Sequence, residues 1–554
     1  MFEEFTAQFL SELEKVKKRR RIKWEITLEE PPLGLGDSAA PCFELAPILK
    51  KPPKDIAEEL SAEIEPFGLI KEIKAINGYI NSYLDYEKLA PVLINKIKSE
   101  GDNYGRGCKK GKFVLEHTSA NPDGPLHIGH GRNAIIGDSL ARIMRFFGNE
   151  VEVQYYINDM GRQLAIVVLG LETKRPDKSL KKDAAMLEVY VSANRSVEED
   201  PNLEQAISDL MKGYESGDAQ VKDRFEHAVD YSLDGIKETL ERLSIKHDTF
   251  VWESTFVRDY SVKKVVEALQ GTEYFNEKEV ASLDLKSFGI EKELVLKRRD
   301  GTYLYATRDI AYHIWKSQRG KVIDILGADH KLVSSQLSRA LEILGEMAPE
   351  LIIYEFISLP EGGMSTRKGV FVSLDELISE SVKRAYSEVD KRRPDESEES
   401  KSKIAESIGM GAVRFNIIRI SPDKPMVFRW EDALDFEKQG SPFIQYAYAR
   451  ACRILEKERP KEDFEIMGIK ETEAALLRLL SKFPGTVKEA ALYRRPALVA
   501  GYASELSSAF HRFYKFEQVL KSQEKDFRLN LVYVTGIVLK NTLGLLGIRA
   551  PEKM

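Results

Sequence analysis

The first 21 residues, MFEEFTAQFLSELEKVKKRRR, carry their apolar positions at helical spacing and end in a basic run, so they predict an amphipathic helix. A secretory signal has the opposite order, charge before apolar stretch. A turn-rich stretch, PPLGLGDSAAPCFELAP, follows, then a helix beginning near Asp55 and a strand around Gly78 to Asn81. The Gly-rich, basic GDNYGRGCKKGK reads as a linker. From Lys112 the pattern changes. FVLEHT predicts a strand, SANPDGP a loop and LHIGHGRNAIIGDSLARIMRFFG a helix, with Pro125 in its first turn and Gly148 at its stop. Ile136, Leu140, Ile143 and Phe147 share one face of that helix, and VEVQYYIN alternates as a strand does.

Such a β-loop-α-β unit implies a right-handed connection and parallel strands, the start of a nucleotide-binding α/β sheet. KVIDILGADH, KLVSSQLSRALEILGEM and LIIYEFISL predict a second strand, helix, strand region. Between the two regions, residues of about 165 to 285 read as mostly charged helices, an insertion that carries none of the central chemistry. Beyond Val370 the chain reads as all-helical, with a solvated, highly charged segment at 387 to 403 and amphipathic, aromatic and basic helices from Glu431 onward. The expected fold is a Rossmann-like parallel-sheet domain with a helical insertion, preceded by an α+β domain and followed by a helical bundle. The expected boundaries are 1–107, 108–370, a helical connector at 371–430, and 431–554.

Composition narrows the class. At 554 residues the chain holds roughly three or four domains. With 43% hydrophobic and 31% charged residues and no apolar run of about 18 residues, it contains nothing to span a bilayer as a helix. Cys42, Cys108 and Cys452 lie far apart, so neither a disulfide framework nor a zinc ribbon is implied, and a reducing, cytoplasmic setting fits. A net charge of -6 argues against indiscriminate coating of nucleic acid, so any such partner must be met by local patches like Lys15 to Arg21.

The chemistry centres on Ala120 to His130, ANPDGPLHIGH, where a strand gives way to a helix. A helix N-terminus presents unpaired N–H groups and partial positive charge, which suits a polyphosphate. His127 and His130, one turn apart, can donate to phosphate oxygens as charge develops, and Gly129 lets an adenine ring approach the backbone. Two alternatives compete. The histidines can be ordinary helix-start residues, or zinc ligands, although no nearby carboxylate or cysteine completes a tetrahedral set. Only eight histidines exist in the chain, and His330 closes the other buried strand in Leu326-Gly327-Ala328-Asp329-His330, which favours a shared site. A third element, Gly362-Gly363-Met364-Ser365-Thr366-Arg367-Lys368-Gly369, is a Gly-flanked loop ending in adjacent cations that can close over a pyrophosphate leaving group.

Here the sequence resembles the class I aminoacyl-tRNA synthetases. Their His-Ile-Gly-His signature is intact at 127 to 130, and Met364 to Gly369 is similar to their Lys-Met-Ser-Lys-Ser loop. Gly363 and Thr366 stand where that family has its two lysines, so Arg367 and Lys368 share the leaving-group role as candidates, with Lys368 favoured by position. The resemblance implies ATP, with Mg²⁺, bound by Gly129, Gly327, Asp329, His330 and Met364.

Glu116 to Pro122, Tyr156 to Gln163, Tyr305 to Asp309 and Gln445 to Arg450 narrow the resemblance to the arginyl enzymes. A guanidinium is planar, always charged and has five donors, so its pocket needs a carboxylate and flat or carbonyl-bearing neighbours. Asp309 can pair with it and Tyr305 can lie against it, while the resemblance adds Asn121 and Gln336, with Glu116 a further candidate. Singly, Asp309 can be a cap or a surface ion pair and Tyr305 a core residue. Such a pocket rejects lysine and citrulline without an editing domain, because either leaves buried polar groups unpaired. The implied partners are L-arginine, ATP and tRNA(Arg), with no DNA, no membrane and a monomeric state. For the tRNA, the resemblance points to Tyr446, Arg450, His511 and Tyr514 in an anticodon-binding bundle, and to Tyr79 and Asn81 in an N-terminal domain against the tRNA elbow.

Overall fold

A computed structural model describes the chain from 1 to 554 except residues 33, 109, 278–279, 300, 361–371 and 438–439. Its centre is a five-stranded parallel sheet in the order Glu350–Tyr354, Lys321–Gly327, Lys112–Glu116, Glu150–Ile157, Thr249–Trp252. The chain builds outward from Lys112–Glu116 in one direction, then returns to build in the other. The crevice between Lys112–Glu116 and Lys321–Gly327 is therefore the topological switch point, where ligands bind in open α/β sheets.

The helix Ile128–Phe146 crosses the sheet directly beyond this point. Ile136, Leu140, Ile143 and Phe147 are buried as the periodicity predicts, but so is nearly all of Gly131–Met144, because C-terminal helices cover its other side. Gly137 is required there: a Cβ would lie 2.4 Å from the His117 ring. Pro125 precedes the helix rather than entering its first turn, while Gly148, at φ 94°, terminates it.

Four helices, Arg162–Gly170, Lys182–Glu199, Leu203–Ser216 and Ala219–Arg242, fill the interruption. The expected helical insertion to about 285 is corrected beyond them. Thr249–Trp252 returns to the parallel sheet as its edge strand, and Phe275–Glu277, Ala281–Leu283 and Leu294–Lys297 form an antiparallel sheet. These strands are only three or four residues long, too short for alternation to show against charged flanks.

At the N-terminal side, the helix Phe2–Arg20 buries Phe5, Phe9, Leu13 and Val16. An antiparallel sheet follows in the order Ser38–Pro41, Tyr79–Leu84, Ile70–Ile76. The expected linker is docked instead of loose: Tyr104 is buried and its hydroxyl donates to the Leu480 carbonyl at 2.8 Å. Past residue 372 the chain is helical except for Met426–Val427, which pairs in parallel with Ile357–Ser358. The segment at 387 to 403 spans the end of Leu374–Arg392 and the start of Glu398–Ile418. Ser441–Lys457, Glu471–Leu492, Pro496–Phe516 and Lys525–Leu545 make the final bundle.

Candidate active site

The turn after the central strand shapes the switch point. Thr118 and Ser119 take positive φ, 71° and 39°, a conformation that costs energy in non-glycine residues and must be held by its surroundings. Asn133 supplies one restraint, accepting from the Thr118 N–H at 2.8 Å and donating to the Ile325 carbonyl at 2.8 Å. Ser119 supplies another, its Oγ donating to Glu116 at 2.9 Å and accepting from the Tyr156 N–H at 3.0 Å. The result is a cavity of about 750 Å³ at the C-terminal ends of the strands.

His127 is the N-cap of the helix Ile128–Phe146. Its Nδ1 accepts from the N–H groups of Gly129 at 3.0 Å and His130 at 3.2 Å, while the Ile128 N–H goes to the Val372 carbonyl at 3.3 Å. This corrects one expectation: these terminal N–H groups are spent within the protein, so anion binding here falls to side chains. An accepting Nδ1 places the neutral ring's proton on Nε2. The His127 and His130 rings stack at 3.6 Å, and burial lowers the pKa of both, His130 to about 3. They are neutral N–H donors at physiological pH, and the buried Nδ1 of His130 has no hydrogen-bond partner among the described residues. A Cβ on Gly129 would meet the His127 ring at 2.8 Å, so that glycine also protects the cap.

Glu116, Asn121, Tyr305, Asp309, Gly327, Asp329 and His330 line the same cavity with His127, Gly129 and His130. Tyr305 and Asp309 stand one turn apart at the start of the helix Tyr305–Ser317. Asp329 and His330 are largely exposed at its mouth, 3.6 Å apart. Gln336 is the exception. Its amide is buried and donates to the Lys292 carbonyl at 2.7 Å, and Ser334 and Leu337 take its expected place on the wall. Met364, Arg367 and Lys368 lie outside the described residues.

Sequence reasoning missed Glu253. It follows the edge strand, lines the cavity and is buried, with Arg308 3.5 Å away. Asn158, with its amide nitrogen turned toward it, donates to Glu253 at 2.8 Å. Burial pushes the Glu253 carboxyl up to about 8. The signal was present in Phe250-Val251-Trp252-Glu253, a charged residue closing an apolar triplet, but the charged helices around it masked it.

In the bundle, Tyr446, Arg450, His511 and Tyr514 form one cluster. The Arg450 guanidinium lies 4.5 Å over the Tyr446 ring and 4.4 Å over the Tyr514 ring, and Tyr446 stacks on His511 at 5.9 Å. In the N-terminal sheet Tyr79 is partly exposed against Phe43, but Asn81 is 3% exposed in the central strand. Asn81 thus offers little of its surface to a partner, unlike Tyr79.

A parallel sheet whose switch-point cavity opens at a His-Ile-Gly-His helix start defines a class I tRNA synthetase, and residues 91–430 match the family of tRNA synthetases class I (R), catalytic domain. Residues 3–84 match the arginyl tRNA synthetase N terminal domain and 444–554 the DALR anticodon binding domain. The chain is 52% identical over 549 residues to the arginine–tRNA ligase of Methanocaldococcus jannaschii and 48% over 545 to that of Methanothermobacter thermautotrophicus, covering 96% of each protein and of this chain. Among solved structures, Thermus thermophilus arginyl-tRNA synthetase superposes with a TM-score of 0.83 at 28% identity, over 99% of this chain and 100% of that one. The chain belongs to the arginyl-tRNA synthetase family.

Proposed function

We propose that the switch-point cavity is the place where this arginine–tRNA ligase joins arginine to ATP, and that the residues gathered there divide the work as follows. Family membership supplies the overall reaction: ATP activates L-arginine to arginyl-adenylate with release of pyrophosphate, and the arginyl group passes to the 3′ end of tRNA(Arg), releasing AMP. Asp309, Glu116 and Glu253 receive the guanidinium, with Tyr305 against its plane. Asn121 holds the amino-acid end. His127 and His130 donate to the phosphate oxygens as the arginine carboxylate attacks the α-phosphate.

Their neutrality supports this role. A neutral imidazole donates without a counter-charge that would hold the pyrophosphate product, and an unpartnered buried nitrogen on His130 is costly unless a ligand uses it. Mg²⁺ fits the oxygen-rich setting of nucleotide phosphates, and Asp329 at the cavity mouth would share it, where the ion neutralises phosphate charge. Lys368 or Arg367 covers the leaving pyrophosphate. We divide the chain into an N-terminal tRNA-binding domain at 1–107, a catalytic domain to 370, a connector to 430 and an anticodon-binding bundle, with Tyr446, Arg450, His511 and Tyr514 meeting tRNA. The protein acts as a cytoplasmic monomer, without zinc, on neither DNA nor membrane.

The observation that carries this reading is the convergence of a stacked histidine pair and three carboxylates on one cavity. Arginine-dependent exchange of labelled pyrophosphate into ATP, with and without tRNA, tests it. Exchange that requires arginine and tRNA and collapses in His127→Ala supports the assignment. Unimpaired exchange in that variant refutes it.

A further inference from the structure

In the pocket wall lies a buried charge cluster that the reading above leaves unused. Lys316 is fully buried, its Nζ 2.6 Å from Glu116 Oε2 and 2.6 Å from Asp324 Oδ1. His313, on the same helix, places Nε2 2.8 Å from Asp324 Oδ2 and Nδ1 3.1 Å from Asp309 Oδ1, with the Asp309 backbone carbonyl at 2.7 Å. Asp324, in the strand Lys321–Gly327, thus holds both cations, and the cations hold Glu116 and Asp309; Asp324 and His313 line the cavity with these two carboxylates.

Both ring nitrogens of His313 face only acceptors, so both carry protons. Burial alone would lower its pKa, but the facing carboxylates Asp309 and Asp324 outweigh burial and lift it to about 10. Donor atoms of Glu116, His313 and Asp324 lie within 4.8 Å of one another, a spacing a metal ion could use, yet the Lys316 ammonium already supplies the cation there. Three carboxylates against two cations leave one negative charge, which a guanidinium balances and a neutral side chain does not.

We propose that His313 and Lys316, joined through Asp324, are positioning residues that fix the Asp309 and Glu116 carboxylates in orientation, so that the pocket demands a fully charged side chain. The inference rests on the reading that Asp309 and Glu116 receive arginine. Carboxylates already held in place need no reorganisation when the substrate arrives. The charged surroundings of His313 are Asp324 and Glu116 from two strands and Asp309 and Lys316 from its own helix, with the Tyr312 ring edge-on. Tyr156 and Glu253 complete those of Asp309.

His313→Gln tests the proposal, with KM for arginine and for ATP measured against wild type by tRNA-supported pyrophosphate exchange. Loss of a charge-assisted bond is expected to raise the arginine KM about tenfold or more and leave that for ATP unchanged. An unchanged arginine KM, or both KM values moving together, overturns the inference. Asp309→Asn, measured alongside, separates the two failures. An unchanged arginine KM in Asp309→Asn overturns the pocket reading and the inference with it, whereas a raised value there with an unchanged arginine KM in His313→Gln overturns the inference alone. If His313→Gln does not fold, the isosteric Asp324→Asn is expected to raise the arginine KM selectively, and no selective rise overturns the proposal.

Discussion

The guanidinium of Arg132 donates to the backbone carbonyl of Glu355 at 2.6 Å, with the helix of the histidine pair on one side and the chain leading to residues 361–371 on the other. Arg132 also reaches the carbonyls of Phe356 and Lys424, at 3.1 and 2.8 Å, and is fully buried. One side chain therefore fixes the helix start against both the last strands and the connector. Arg132→Met would strand several carbonyls away from water. We expect a loss of about 3 kcal/mol or more, read as a lower denaturation midpoint, with pyrophosphate exchange falling more than stability alone explains.

His127 has two separable duties, capping and donation. His127→Ala is expected to cost about 1 kcal/mol of stability and reduce kcat about 100- to 1,000-fold. His127→Asn restores a capping oxygen, so its thermal midpoint should return toward wild type while kcat stays low. Recovery of both together would show that the ring matters only as a cap.

Glu253→Gln is expected to raise the KM for arginine about 10- to 100-fold with little change in that for ATP, since the buried carboxyl, held at about 8 without a ligand, can give up its proton to pair with the guanidinium and an amide cannot. Steady-state exchange at varied concentrations of each substrate decides it.

Arg450→Ala removes the guanidinium that links the Tyr446 and Tyr514 rings. Aminoacylation should then show a KM for tRNA raised about tenfold, through lost stacking and phosphate contact, at unchanged KM for arginine and ATP. An equal effect on all three would point to a folding defect.

Stability should pass through a maximum near pH 6 to 7. Burial holds His117 well below its ordinary value, His130 at about 3 and His247 at about 4. Groups so depressed stabilise the fold above about pH 6.5 and withdraw that support as pH falls, each by up to about 1.4 kcal/mol per pH unit. His313, raised to about 10, acts in the opposite sense: its support is complete below about pH 6.5 and fades as pH rises toward 10. Thermal melting from pH 4 to 10 checks the shape, and His313→Gln should flatten only the alkaline limb.

The sheet's inner strands were legible because burial on both faces turns them into nearly continuous apolar runs, as in Val322 to Leu326, which only Asp324 interrupts. Tyr305 and Asp309 were singled out by the resemblance of Tyr305 to Asp309 to the arginyl enzymes, and the helix Tyr305–Ser317 sets them one turn apart on the cavity. Glu253 was not, since Thr249–Trp252 is a four-residue edge strand that joins the sheet only after four intervening helices. For Asn81 and Gln336 the sequence leaves open whether the protein's own backbone already engages a polar side chain, as the Lys292 carbonyl does the Gln336 amide. The same holds for the N–H groups at the helix start, which the sequence reading offered to a phosphate and His127 had already taken.

The docking of Tyr104 onto the Leu480 carbonyl carries a further consequence for biogenesis. The two residues are separated by 376 positions, and Lys98 with Asn530 and Asp102 with Lys540 repeat the pattern across more than 430. At about 5 to 20 residues per second, the nascent amino-terminal unit waits roughly 20 to 75 s for the helix that will cover it. Through that interval the contact face around Tyr104 and Phe146 lacks Phe483, so that the enzyme which charges tRNA with arginine seals this seam only once the helix Glu471–Leu492 has been made.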